Sequence, residues 1–341
     1  MTLACIFTID YEIYGNGEGS LYELVYEPAE RLKAIFQKFN TRFVAFVEAA
    51  ELEIIESEGT DESIHNVISQ IRELHTLGFE IGLHLHPQWY NGRRENGKWV
   101  LDYSEYNLCT LPLSRITHIV DRSIRYLRKV LNLNDFTPLA FRAGNWLFQP
   151  TCDAANALVQ CGIRIDSSVF KGGLQHEHKL DYRRALRNGY YWRFLEDVVV
   201  PCNEGHLLEL PIYTRAVPFW KMLTFKRLSI NRRGQASVHA CDKKLEGASN
   251  YLRFRYPLKF DFCRMTLREL TSLIEEVLED EQENPTPFRP IVAIGHTKDL
   301  LDFETVEAFL CYLAGKCIPI STFEQVFPKC SHPGPLGCSS L

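Results

Sequence analysis

The stretch Phe79-Glu80-Ile81-Gly82-Leu83-His84-Leu85-His86 reads as a short, nearly continuous apolar strand that ends in two histidines. A helical pattern precedes it, with Ile64, Val67, Ile68, Ile71 and Leu74 at helical spacing. A short apolar run after such a pattern marks a strand buried on both faces of a parallel sheet. The two-residue period of a strand turns His84 and His86 to one side, where both imidazoles can meet one metal ion.

The same alternation extends in both directions. Before it, Leu3 to Ile9 and Phe43 to Val47 read as strands, separated by helical spacing at Leu32, Ile35, Phe36 and Phe39 after Pro28. After it come a helix from Ile116 to Leu131, a strand near Leu139 to Arg142, a helix across Asp153 to Val159 and a strand at Ile163 to Asp166. Further on, Leu267 to Leu278 gives a helix, Ile291 to His296 a strand, Val306 to Leu313 a helix and Cys317 to Ser321 a last strand. The pattern predicts an α/β fold with a parallel sheet covered by helices, either open and doubly wound or closed into a barrel.

No linker rich in Pro, Gly and Ser divides the chain, so one domain is expected over residues 1–329, with 330–341 as a flexible tail. An irregular region, about 171–262, carries aromatic strand-like segments and the basic clusters Arg183-Arg184, Arg232-Arg233 and Arg253 to Lys259. It is read as an insertion on the rim, where selectivity is usually carried.

Composition excludes several classes. With 341 residues and 45% apolar content the chain can bury a large core, which rules out a disordered, collagenous or small disulfide-stapled protein. The net charge of -5 gives no general attraction to phosphate backbones, so no nucleic-acid partner is expected. No apolar stretch approaches the roughly 20 residues of a membrane span. Met1 to Phe7 lacks the basic start of a secretion signal, and eleven irregularly spaced cysteines suit reduced thiols, mostly in the core. A cytoplasmic location is expected. The tail from Cys330 to Cys338 around His332 is neither a persuasive metal clip nor a prenylation box, and nothing indicates an oligomeric state.

Polar residues of unusual type fall at the carboxyl ends of several different strands: Asp10 and Glu12, His84 and His86, Arg142, Asp166 and His296. In barrels and open α/β sheets alike, ligands and catalysis gather at that edge. A His-x-His pair alone favours two solvated histidines near a loop. Its joint occurrence with Asp10-Tyr11-Glu12, which has the same spacing, favours a divalent metal held by His84, His86 and one carboxylate of that pair, with positions left open. Arg142 can anchor a neighbouring carboxylate, Trp146 can wall a sugar-sized pocket, and His296 can donate a proton to a leaving group. Each of these also has an ordinary structural reading. Gly15-x-Gly17-x-Gly19 is not a nucleotide fingerprint, since the spacing is wrong and Glu12 and Glu18 would repel phosphate; it is read as a loop beside the site. No Gly-x-Ser-x-Gly elbow occurs.

Five segments in chain order now resemble the motifs of the polysaccharide deacetylase family, carbohydrate esterase family four with NodB homology, in a divergent form. They are Thr8 to Glu12, Glu80 to His86, Phe141 to Trp146, Asp166 to Ser168, and Ile294 to His296. The resemblance implies a distorted (β/α) barrel of about seven strands. It implies Asp10 as general base, Glu12 and His84 as metal ligands, Arg142 tuning the base, and His296 as general acid oriented by Asp166. Zn²⁺ is the metal implied, and Asn145, Trp146 and Trp89 fall where substrate would lie. Two departures stand out. Tyr11 separates carboxylates that the family commonly sets side by side, and the partner histidine falls at His86 while Gln88 takes its usual place.

The expected activity is metal-dependent removal of an acetyl group from an N-acetylated sugar; the resemblance does not imply which one, and a polysaccharide or lipopolysaccharide precursor is expected from the cytoplasmic location. Two alternatives stay open: a non-catalytic carbohydrate-binding relative, and an amidohydrolase acting on a small nitrogenous metabolite. Trp192, Trp220, Tyr213 and Tyr251 in the insertion can stack on sugars, and its arginines can meet acidic sugars or a pyrophosphate.

Overall fold

The computed structural model describes residues 2–237 and 255–330. Tyr251, Arg253 and the tail with His332 and Cys338 lie outside the described residues.

Strand β1 (Leu3–Tyr11) is buried at every position, which explains why its sequence is a continuous apolar run rather than an alternating one. Helix α1 (Glu27–Lys38) follows, then β2 (Val44–Glu48), α2 (Ala49–Glu58), α3 (Ile64–Thr76) and β3 (Glu80–Leu85). The chain continues through α4 (Leu113–Leu131), β4 (Ala140–Ala143), α5 (Cys152–Gln160), β5 (Ile165–Asp166), β6 (Trp192–Phe194) and β7 (Leu207–Glu209). A hairpin-like pair, β8 (Thr214–Val217) and β9 (Tyr256–Lys259), flanks α6 (Phe225–Ser237), and α7 (Leu267–Glu283), β10 (Arg289–His296) and α8 (Phe303–Gly315) complete the fold.

One eight-stranded sheet runs in the order β6-β7-β5-β4-β3-β2-β1-β10. All its neighbours are parallel except β6, which lies antiparallel on β7. Ile212, just past β7, bridges Val292 of β10, and the Tyr213 N–H donates to the Val292 carbonyl at 3.0 Å. These contacts bend the two ends of the sheet towards each other, giving the distorted barrel of seven parallel strands. Inside the helical coat, Phe7 packs edge-on against Phe36 and Phe262, each at 5.3 Å between ring centres.

Three differences from the sequence reading have physical causes. The seventh parallel strand is Leu207–Glu209, within the stretch read as insertion, and not Cys317 to Ser321. The latter contributes a single bridge, Ile320 to Cys5, because β2 pairs with β1 only from Thr8 onward and leaves the start of β1 open on that side. Helix α2 has no sequence periodicity because it buries Ala49, Ala50, Leu52, Ile54 and Ile55 around much of its circumference. Cys5, Cys109, Cys263 and Cys330 are buried free thiols as core residues, whereas Cys152, Cys311 and Cys317 are exposed. Among the described residues no helix is long and apolar enough to cross a membrane.

Candidate active site

Register brings the carboxyl ends of five strands together. Asp10 lies opposite His296 on β10, and Arg142 on β4 lies opposite His84 on β3, which in turn faces Glu48 on β2. Because side chains alternate, Asp10 and Glu12 share one face while Tyr11 turns away and hydrogen-bonds Gln70.

Glu12 is the hub. One carboxylate oxygen, Oε2, lies 3.0 Å from His86 Nε2 and 3.4 Å from His84 Nε2, and the other, Oε1, accepts from Lys298 Nζ at 2.8 Å. Burial opposes its charge, but Lys298 and the two histidines hold the Glu12 carboxyl well below the usual carboxylate range. Burial likewise works against ionised Asp10. The Arg142 guanidinium at 2.7 Å, with His84 and His296, outweighs it and keeps that carboxyl below its ordinary value. Arg142 is wholly buried and also donates to Thr8 Oγ1 at 2.9 Å and to the Ser167 carbonyl at 2.9 Å. Asp10 Oδ2 lies 3.4 Å from His296 Nε2, and burial pushes the His296 imidazole down.

Two overlapping groups can hold a metal ion, Glu12 with His84 and His86, and Asp10 with Glu12 and His296; within each, the candidate ligand atoms lie within 4.8 Å of one another. Ligands bound at about 2.1 Å in a tetrahedron are about 3.4 Å apart, close to the Glu12–His84 and Glu12–His86 separations. His84 is oriented from behind by its Nδ1 contact with the Arg142 carbonyl at 2.9 Å, which leaves Nε2 as the ligating nitrogen. At His86 the Gln88 amide nitrogen lies 3.3 Å from Nδ1 while Gln88 Oε1 is buried without a donor. Exchanging the two ends of that amide satisfies the orphaned oxygen with Nδ1–H and frees the His86 Nε2 lone pair for a metal. The donor set therefore fits a divalent ion with open positions.

Other side chains support this arrangement from residues that the motifs do not mark. Glu48 accepts from the backbone N–H of His86 at 2.5 Å and from that of Glu51, and Glu51 accepts from the Ile13 N–H at 2.9 Å. Both carboxyls are pushed up by burial, Glu51 to about 8. Gly144 is required by close approach, since a Cβ there would stand 2.6 Å from the Leu85 carbonyl and 2.8 Å from His86 Nδ1. Asn145 and Trp146 both adopt positive φ, 53° and 60°, an uncommon backbone for such residues beside a cleft.

A cavity of about 510 Å³ opens in front of Asp10, Glu12, His84, His86 and His296, and Asn145 and Trp146 line it. Gly15 lies on its edge, consistent with a loop beside the site. Trp89, expected at the substrate, is instead fully buried against Trp99, and Trp192 is buried with its indole N–H donating to the Val198 carbonyl. Asp166 is not beside His296. Its carboxyl accepts from Ser168 at 2.7 Å and pairs with Glu209, its register neighbour on β7, and burial pushes both carboxyls up. Asp299, three residues after His296, stands 3.6 Å from His296 Nδ1 instead. Lys298, Asp299, Lys259 and Asp261 also line the cavity and were not singled out from sequence. The cue for the first two was their place directly after His296; Lys259 and Asp261 have the alternating spacing of a strand end.

No family model matches the chain, and no curated protein does. Solved structures do. A protein from Mycobacterium smegmatis described as a polysaccharide deacetylase aligns over 100% of this chain and 95% of its own, at 17% identity and a TM-score of 0.53. The PuuE allantoinase aligns over 97% and 92%, at 11% identity and a TM-score of 0.50. The 4-alpha-glucanotransferase of Thermococcus litoralis aligns over 98% of this chain but 41% of its own length, at 12% identity and a TM-score of 0.55. The likeness is one of fold: the chain has the barrel of the polysaccharide deacetylases, as its motifs implied.

Proposed function

We propose that this chain is a divergent, metal-dependent deacetylase that removes an acetyl group from an N-acetylated sugar or polysaccharide precursor. The observation that carries the reading is the meeting of Asp10, Glu12, His84, His86 and His296, remote in sequence, around the floor of one cavity. A divalent metal held by Glu12, His84 and His86, most simply Zn²⁺, supplies Lewis acidity that activates water and polarises the acetamide carbonyl. Asp10, kept ionised by Arg142, takes the water proton. His296, across from Asp10, gives a proton to the departing amine so that it does not leave as an anion, and Asp299 lies near its other nitrogen. Trp146 borders the space where the sugar would lie.

Acetate release from N-acetylated oligosaccharides by zinc-loaded protein tests this. Asp10→Asn and His296→Ala should each lower the rate roughly 10²- to 10⁴-fold; turnover that survives both changes overturns the assignment. One observation favours a second reading, a non-catalytic carbohydrate-binding protein: Lys298 already neutralises Glu12 with a direct ion pair at 2.8 Å. Stoichiometric metal that is lost on His84→Ala supports the enzyme, and glycan binding without metal supports the module. An amidohydrolase on a small nitrogenous metabolite would release ammonia or acetate from small amides and not from sugars.

A further inference from the structure

Four cationic side chains line the cavity: Arg227, Lys259, Arg264 and Lys298. Three already have counter-ions. Lys298 pairs with Glu12 at 2.8 Å, Arg227 with Glu269 at 2.6 Å and Arg264 with Asp299 at 2.7 Å. Among the described residues Lys259 has no carboxylate within ion-pair distance. Its ammonium lies over the face of Trp146, 2.9 Å from the ring centre, and 4.6 Å from the centre of Phe170.

The same indole has a buried N–H without an acceptor and meets His296 edge-on at 6.0 Å between ring centres. Trp146 therefore carries an ammonium on its face and an unpaired donor at its edge, and it stands beside the proposed general acid. An aromatic face attracts an ammonium but offers it no hydrogen-bond acceptor, and burial brings the Lys259 ammonium down to about 7 against the pull of the Asp261 carboxylate, so a bound anion would hold the charge in place. Beyond Pro257, which borders both spaces, a second cavity of about 610 Å³ is lined by Lys171, Arg183, Arg187 and Arg255, of which Arg183 pairs with Asp181 and Arg187 with Asp280.

We infer that the sugar taken by this site bears a negative charge, as a carboxylate or a phosphate ester, and that Lys259 at the Trp146 face binds it. The identity of the ligand as a sugar rests on the deacetylase reading; the anion contact does not.

Isothermal titration of the zinc-loaded protein with N-acetylglucosamine, N-acetylglucosamine 1-phosphate and N-acetylmuramic acid tests the inference. At least one charged sugar should bind roughly tenfold or more tightly than the neutral one, and which of them does identifies the anion. Lys259→Met, which keeps the length of the side chain without its charge, should abolish that preference, and Lys259→Arg should restore part of it. Equal binding of the three sugars by the wild type, no binding of any, or a preference that persists in Lys259→Met overturns it. Acetate release measured on the same sugars separates the two readings. Lys259-dependent preference without acetate overturns hydrolysis and leaves the anion contact standing. Acetate from all three sugars without preference does the reverse.

Discussion

Replacing Arg142 with Met exposes how the Asp10 charge is maintained. The pair is closed to solvent, with side-chain exposures of 0% and 2%, and the guanidinium makes four hydrogen bonds, to Asp10, Thr8, the Ser167 carbonyl and the Ser167 hydroxyl. Removing one partner of a buried ion pair costs about 3–5 kcal/mol, because the other charge is left without compensation. Asp10→Asn should cost a similar amount by orphaning Arg142. In the double variant neither charge remains, and the residual loss is that of the Thr8 and Ser167 contacts, roughly 1 kcal/mol each. The two changes should therefore couple by at least about 2 kcal/mol. Urea unfolding of metal-stripped protein measures this, provided the slope with denaturant is the same in all four proteins. Additivity within about 0.5 kcal/mol would refute the claim that Arg142 acts mainly on Asp10.

Gly144→Ala should displace His86 and weaken zinc binding roughly 10- to 100-fold in competition with a chelating dye, since its Cβ would collide with that imidazole; unchanged affinity in a folded variant contradicts the packing. Gln88→Leu removes one of the two amides beside His86 Nδ1, the other being Asn145 at 3.4 Å, and should weaken zinc by roughly tenfold or more, with no loss expected if Gln88 were only filling space. Burial raises the Glu80 carboxyl from 4.5 to about 8, so the folded chain keeps a proton that the unfolded chain gives up between those values. Stability should thus decline as pH rises through that window, and Glu80→Gln should raise the melting temperature more at pH 8 than at pH 5. A larger gain at pH 5 would show the sign to be wrong.

Much of this site was legible because strand geometry carries it. The two-residue spacing in Asp10-Tyr11-Glu12 and His84-Leu85-His86 survives folding unchanged, and both pairs sit at strand ends where parallel sheets collect their chemistry. Arg142 and His296 were legible for the same reason. Asp166 was misplaced because a turn-like Asp-Ser-Ser gives no sign of the Glu209 beside it, which arrives from a strand of only three residues. Lys259 and Asp261 were hidden because only tertiary pairing decides that their segment lies against the cleft, through the bridge from Asp261 to Ile294. Trp89 and Trp192 followed the general habit of aromatic residues and went to the interior.

The join at Ile212 and Val292 divides the molecule by tolerance to change. His84 belongs to the uninterrupted run of paired strands, and Glu12 and His86 follow directly on the ends of β1 and β3, where a shifted register would turn each side chain to the wrong face. The lysine that meets the indole comes from across that join, on a two-stranded ribbon tied to the barrel by isolated bridges. Under the proposed function, a shift in the ribbon would retune which molecules are admitted while the candidate metal ligands stay where they are.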